Sequence, residues 1–142
     1  RSRCWFGHSN LSNYTIQADV KGTITNDKMP DIGLIAQGYT LDLQGNGQKL
    51  QIRTWGPQLR MAETLDYQWK PDTWYTLKFQ ASVEDGNAVL RGKIWVKGEA
   101  EPDAWTLEAV DDVPVTQGSP GLFGNAKDAE LYLDNITVTP NG

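Results

Sequence analysis

Arg91-Gly-Lys-Ile-Trp-Val-Lys-Gly-Glu-Ala-Glu-Pro-Asp-Ala-Trp105 decides the reading of this chain. Its first half alternates as a strand does. With Leu90 before it, Ile94 and Val96 fall on one face, and Arg91, Lys93 and Trp95 fall on the other. Its second half, rich in Gly, Pro and acid, reads as a loop that ends on a second tryptophan. No nucleophile, metal cluster or phosphate loop accompanies it. The stretch points to a fold and a recognition surface before it points to chemistry.

The same alternation extends outward from this stretch. Trp74 to Val83 sets Tyr75, Leu77, Phe79, Ala81 and Val83 against polar partners, and Glu84-Asp-Gly-Asn87 turns the chain into Ala88 to Val96. Tyr14, Ile16, Ala18 and Val20 share one face of an earlier strand. Asp31 to Gln37 is a more apolar run, and Tyr39, Leu41 and Leu43 line the next. Gly45-Asn-Gly47 then predicts a hairpin into Leu50 to Trp55, because Gly and Asn tolerate positive φ. Short strands follow at Trp105 to Val110, Gly118 to Phe123 and Glu130 to Val138. No amphipathic helix of ten residues and no fixed-period repeat is visible, which leaves an all-β, two-sheet sandwich.

The bulk numbers agree. The chain's 142 residues fit one domain over 1–142. Six Trp, five Tyr and three Phe spread among 14 Gly and 7 Pro suit many strands joined by turns. A net charge of −5 argues against a nucleic-acid partner. No apolar run is long enough for a membrane-spanning helix. Cys4 stands alone, so no internal disulfide is expected. The start at Arg1 and the end at Thr139-Pro-Asn-Gly142 read as those of a domain processed or cut from a larger chain.

Five stretches together carry a resemblance. They are Trp74-Tyr-x-Leu, Leu90-Arg-Gly-Lys-Ile-Trp95, Glu101-Pro-x-x-Trp105, Gly118-Ser-x-Gly-Leu-Phe123 and Leu133-Asp-Asn-Ile-Thr-Val138. In this order they resemble the concanavalin A-like lectin/glucanase superfamily. More narrowly, they are similar to the laminin-G-like accessory domains of bacterial glycosidases and quinoprotein-like propeller proteins. The resemblance covers about half the chain, from Trp74 onward; the N-terminal half fits by strand pattern. It implies an antiparallel jelly-roll sandwich, and a strand-starting anchor role for Trp74. It does not by itself imply one activity, since this fold hosts lectins, hydrolases and adhesion domains. The Glu-x-Asp-x-x-Glu motif of the glucanase branch is absent. No catalytic residue of the similar 3-keto-disaccharide hydrolases maps onto the chain.

Saccharide binding needs aromatic rings beside planar donors and acceptors. Gln51, Arg53 and Trp55 alternate on one strand face, as Arg91, Lys93 and Trp95 do on theirs; one shared sheet would make them a single binding surface. Trp95 and Trp105 have a second reading, holding the 98–105 loop to the sandwich. Tyr67 and Trp69 fall in a loop and read either as an exposed platform or as a lid on the core. Sugar-binding jelly rolls hold a structural Ca²⁺ near their terminal strands, and Asp134 is the side chain that this likeness nominates. No other cofactor is expected. Glu99, Glu101 and Asp103 read as a solvated acidic loop, and His8, the lone histidine, supports no triad.

The function expected is a non-catalytic carbohydrate-binding accessory domain of a secreted or periplasmic bacterial protein. Its partners would be a poly- or oligosaccharide and the neighbouring domains of a parent chain. The alternatives are a structural or interaction domain, and a small glycoside hydrolase using a pair such as Glu101 and Glu130.

Overall fold

The alternating runs become strands because each has one apolar side to bury. The computed structural model describes residues 2–55, 61–126 and 129–141, so the chain ends Arg1 and Gly142 lie outside it. Eleven strands run in chain order: β1 Ser2–Trp5, β2 Tyr14–Gly22, β3 Asp31–Ala36, β4 Tyr39–Gln44, β5 Lys49–Thr54, β6 Ala62–Asp66, β7 Tyr75–Glu84, β8 Asn87–Val96, β9 Leu107–Asp111, β10 Gly121–Asn125 and β11 Leu131–Pro140. No helix occurs among the described residues.

The strands form two antiparallel sheets. One has six strands in the order β1-β10-β3-β4-β5-β6, the other five in the order β11-β2-β7-β8-β9. The inward-facing apolar residues meet between them. Ile16, Ile32, Leu34, Leu41, Leu43, Leu50, Ile52, Leu77, Phe79 and Leu90 are fully buried there. The all-β sandwich expected from the sequence is the fold observed. Two strands were not expected, β1 and β6. Both are edge strands with every residue exposed, so no apolar period marks them.

Two buried tyrosines pin the long connection between β9 and β10. Tyr14 donates to Gly118 O at 2.7 Å and accepts from the Gln37 N–H at 2.7 Å. Burial pushes its phenol up to about 12. Tyr39 donates to Asp111 Oδ2 at 2.6 Å and accepts from the Val115 N–H at 2.9 Å. Loops without apolar periodicity are thereby held to the frame by buried polar contacts.

Candidate functional site

Antiparallel pairing puts directly opposed residues on the same face of a sheet. On the outer face of the six-stranded sheet, one row runs Arg3, Phe123, Gly33, Asp42, Gln51, Thr64. The next runs Trp5, Gly121, Ile35, Thr40, Arg53, Ala62. The two glycines let large rings lie flat on bare backbone. A Cβ at Gly33 would stand 1.8 Å from the Phe123 ring, and one at Gly121 would stand 2.9 Å from Trp5 Cε3.

Trp55 completes this aromatic layer. Its backbone N–H donates to Gly38 O at 2.8 Å, which extends the β4–β5 pairing past the end of β5. Its ring meets Trp5 edge-on at 5.7 Å and Phe123 at 5.9 Å. The Arg3 guanidinium lies 4.7 Å from the Trp55 ring centroid. Ile35 and Thr40 point outward on this face yet are fully buried. Trp5, by contrast, is 47% exposed.

A polar cluster adjoins the rings. Arg53 donates through Nε to Asp42 Oδ2 at 2.9 Å. Burial pushes the Asp42 carboxyl up; Arg53 opposes it and the charge of Asp31 adds to the rise. The Thr40 hydroxyl stands near enough to favour the ionised form. Even so, Asp42 Oδ1 and Thr40 Oγ1 are buried without a hydrogen-bond partner among the described residues. Gln51 donates to Thr64 Oγ1 at 3.0 Å, and Lys49 pairs with Asp66 at the sheet edge.

Gln51, Arg53 and Trp55 therefore lie together on this face, and Arg91 and Trp95 do not join them. β5 belongs to the six-stranded sheet and β8 to the five-stranded one, so the single surface expected from the two strands is split between opposite sides of the sandwich. Arg91 is committed where it stands. Its Nη1 lies 3.0 Å from Glu84 Oε2, and its Nε lies 3.4 Å from Glu108 Oε1. Trp95 is half-buried, opposite Thr76 on β7.

The 97–106 loop folds onto that second face. Lys93 donates to Glu101 Oε2 at 3.0 Å and to Pro102 O at 2.7 Å, with its ammonium 4.7 Å from the Trp105 ring centroid. Lys78 reaches the same Glu101 oxygen at 3.0 Å. The hydrogen bond from Lys93, with help from Lys78, holds the Glu101 carboxyl below the usual glutamate range. A glycosidase acid needs a carboxyl held above that range, so Glu101 has the wrong poise for that work. Trp105 and Glu101 clasp the loop to the sheet.

Of the two readings of Trp69, an exposed platform and a lid on the core, its position matches the lid. It lies in a loop, as its sequence indicates, but is 4% exposed and part of the core. Its indole N–H donates to Gln44 O at 2.9 Å, and its ring meets Tyr75 edge-on at 6.0 Å. Tyr67 is half-buried against the same core, and burial pushes its phenol up. Trp69→Ala is expected to cost about 3–5 kcal/mol of stability in urea unfolding, while leaving the outer face of the six-stranded sheet in place.

Asp134, the side chain nominated for Ca²⁺, caps a turn through its own neighbour's backbone. Its Oδ1 accepts from the Asn135 N–H at 2.8 Å. Asp19, paired with it across β2 and β11, already accepts from Thr76 and Asn135 at 2.7 Å each and faces Lys97 at 3.2 Å. Burial works to raise the Asp19 carboxyl, and the bonds from Asn135, Thr76 and Lys97 outweigh it. Among the described residues no three carboxylate, Cys or His side chains gather anywhere.

Sequence reasoning missed Arg3, Trp5, Thr40, Asp42 and Phe123. The alternation of Tyr39-Thr-Leu-Asp-Leu43 carried one usable signal, since it places Thr40 and Asp42 on the face opposite the core. The contribution of β1 had none.

No protein-family model matches the chain, and no curated protein matches it. Solved structures do. Sheep galectin-11, in complex with glycerol, superposes with a TM-score of 0.62 at 11% identity, over 97% of this chain and 96% of that one. Chicken galectin 2 gives 0.57 at 10% identity, over 95% and 96%. The Caenorhabditis elegans galectin LEC-6 gives 0.55 at 11% identity, over 95% of each chain. At such identity the likeness is one of fold, and it agrees at that coarse level with the concanavalin A-like resemblance. The chain has the jelly-roll β-sandwich fold of these lectins.

Proposed function

We propose that this domain binds carbohydrate, without catalysis, on the outer face of its six-stranded sheet. The observation that carries the reading is the aromatic layer of Trp5, Trp55 and Phe123 beside the Asp42–Arg53 pair. A pyranose has an apolar C–H face and a rim of hydroxyls. Rings take the first, and a carboxylate with a guanidinium takes the second. Each such hydrogen bond to a charged group contributes about 1.5–3 kcal/mol, much of it offset by the cost of ordering the sugar and side chains, so one site binds weakly and several copies on one polymer bind well. That suits an accessory domain that keeps a larger secreted or periplasmic protein at a polysaccharide. The narrower likeness to laminin-G-like accessory domains points the same way.

Trp55→Ala is expected to weaken saccharide binding by about tenfold or more, from the loss of roughly 1.4 kcal/mol or more of ring contact. Affinity electrophoresis through neutral and acidic polysaccharides measures it. Wild-type protein that no glycan retards would sink the reading.

A second reading, an interaction domain packed against a neighbour, draws on the edge where β1 and β11 end the two sheets. Tyr132, Ile136 and Val138 are exposed along β11. A cleft of about 350 Å³ opens beside it, lined by Cys4, Leu122, Leu131 and Leu133 among others. Lack of glycan binding, together with protection of β11 from hydrogen exchange in a longer chain, would favour this reading.

A further inference from the structure

The polar half of the same face says which saccharides fit it. Asp42 is 5% exposed and Thr40 is fully buried, yet Asp42 Oδ1 and Thr40 Oγ1 lack hydrogen-bond partners among the described residues. The Thr40 hydroxyl is near enough to act on Asp42 but makes no bond of good geometry to it; a buried carboxylate oxygen so placed is costly, and native structures rarely leave one. Arg53 has the complementary surplus. It spends Nε on Asp42, and neither Nη makes a bond to another described residue. Its side chain is 19% exposed. An unpartnered acceptor and part-exposed donors without a described protein partner thus sit on one ion pair, on adjacent strands, beside an aromatic layer.

We infer that the face takes a neutral saccharide through two adjacent hydroxyl groups, one donating to Asp42 Oδ1 and the other accepting from an Arg53 Nη, while an apolar face of the sugar rests on the Trp5–Trp55 rings. This rests on the reading of that face as a saccharide site. A hydroxyl is both donor and acceptor, so a vicinal pair answers both needs at once. The hydroxyl would reach Oδ1 by displacing the part-exposed Gln51 side chain, which stands opposite Asp42 on β5. Charge selects against acidic sugars here. Asp42 already neutralises Arg53, and Asp31 adds a second negative charge near enough to act on Asp42. A uronate carboxylate brought to the pair would meet repulsion. The guanidinium that could draw an acidic sugar is Arg3, which lies over Trp55 and has no carboxylate partner among the described residues.

The experiment is isothermal titration of the whole domain with linear galactan, mannan and β-glucan oligosaccharides, and with polygalacturonate and alginate oligomers. At least one neutral series is expected to bind and the acidic ones to bind at least about tenfold more weakly. With the best neutral ligand, single deoxy analogues at two adjacent carbons are each expected to lose about tenfold, as the loss of a hydrogen bond to a charged group does. This arm needs no variant. Asp42→Asn, with its fold checked by near-UV circular dichroism, is expected to bind the parent sugar about tenfold more weakly and to discriminate less against one of the two analogues. Neutral binding that ignores both deoxygenations, or that Asp42→Asn leaves unchanged, overturns the inference and spares the saccharide site. Tighter binding of uronates that Arg3→Ala abolishes overturns it in favour of acidic sugars. Absence of binding to every saccharide overturns both readings.

Discussion

Gly33→Ala is expected to dismantle the proposed binding face with a single methyl group. The new Cβ would stand 1.8 Å from the Phe123 ring, 2.1 Å from its Cζ and 2.5 Å from its Cδ1. No small rotation clears three ring atoms at once, so the ring must leave its seat or the β10–β3 pairing must spread. Overpacking of this kind costs about 1–3 kcal/mol. The larger effect falls on function. Phe123 is 3% exposed and supports Trp55 at 5.9 Å, so displacing it tilts the ring on which a sugar would rest. Saccharide affinity is expected to fall by at least about tenfold, equivalent to roughly 1.4 kcal/mol. Urea unfolding and titration calorimetry read the two effects separately. Phe123→Ala in the Gly33→Ala background should return part of the stability, because the clash goes with the ring, and none of the binding. A Gly33→Ala protein as stable and as active as the parent would show that the ring does not depend on this glycine.

Arg53→Met is expected to cost about 3 kcal/mol at neutral pH, since removing one partner of a buried pair strands the other charge. Asp42 is the stranded group, with Thr40, Gln51 and Asp31 around it and none of them a cation. The pH dependence has a definite sign. The folded Asp42 carboxyl already lies above its unfolded value, and removing Arg53 raises it further. Protonation therefore favours the folded state. The stability that Asp42 contributes is fully present below the ordinary aspartate value and is lost as pH rises through the raised folded value. The deficit of Arg53→Met should thus shrink on acidification, opposite to the loss expected when a favourable ion pair is simply protonated. Asp42→Asn in the same background should recover most of the stability at neutral pH. Chemical unfolding across a pH series checks both statements; a deficit independent of pH would show that Arg53 acts through packing alone.

Much of the frame was legible before any coordinates. Tyr14-Thr-Ile-Gln-Ala-Asp-Val20 and Tyr75-Thr-Leu-Lys-Phe-Gln-Ala81 alternate strictly, because each strand buries one side and wets the other. The site was legible only in part, for three physical reasons. Alternation tells which face a residue takes but not which sheet its strand joins, so Arg53 and Arg91 looked like neighbours. Edge strands such as Ser2–Trp5 form by backbone pairing rather than by burial, so they leave no apolar period and their side chains go unnoticed. Loop residues obey no period at all. Trp69 reads as platform and lid alike, and no period selects the lid, in which its indole bonds Gln44 O. The flatness of the aromatic layer depends on Gly33 and Gly121 lying under particular rings, a coincidence of register between β1, β10 and β3 that no single stretch contains.

The four-residue strand β1 supplies both Arg3 and Trp5 to the proposed binding face while being held by one neighbour, β10. A short edge strand paired on one side opens more readily than the strands inside the sheet. Its opening would carry away one wall of the proposed saccharide site, so on that reading a bound sugar and a docked β1 favour each other by the same free energy. Ligand at a hundred times its dissociation constant would hold the bound form by about 2.7 kcal/mol. The domain would then register its polymer twice, by retention on it and by a closed N-terminal edge, which slower amide exchange at residues 3–5 would report.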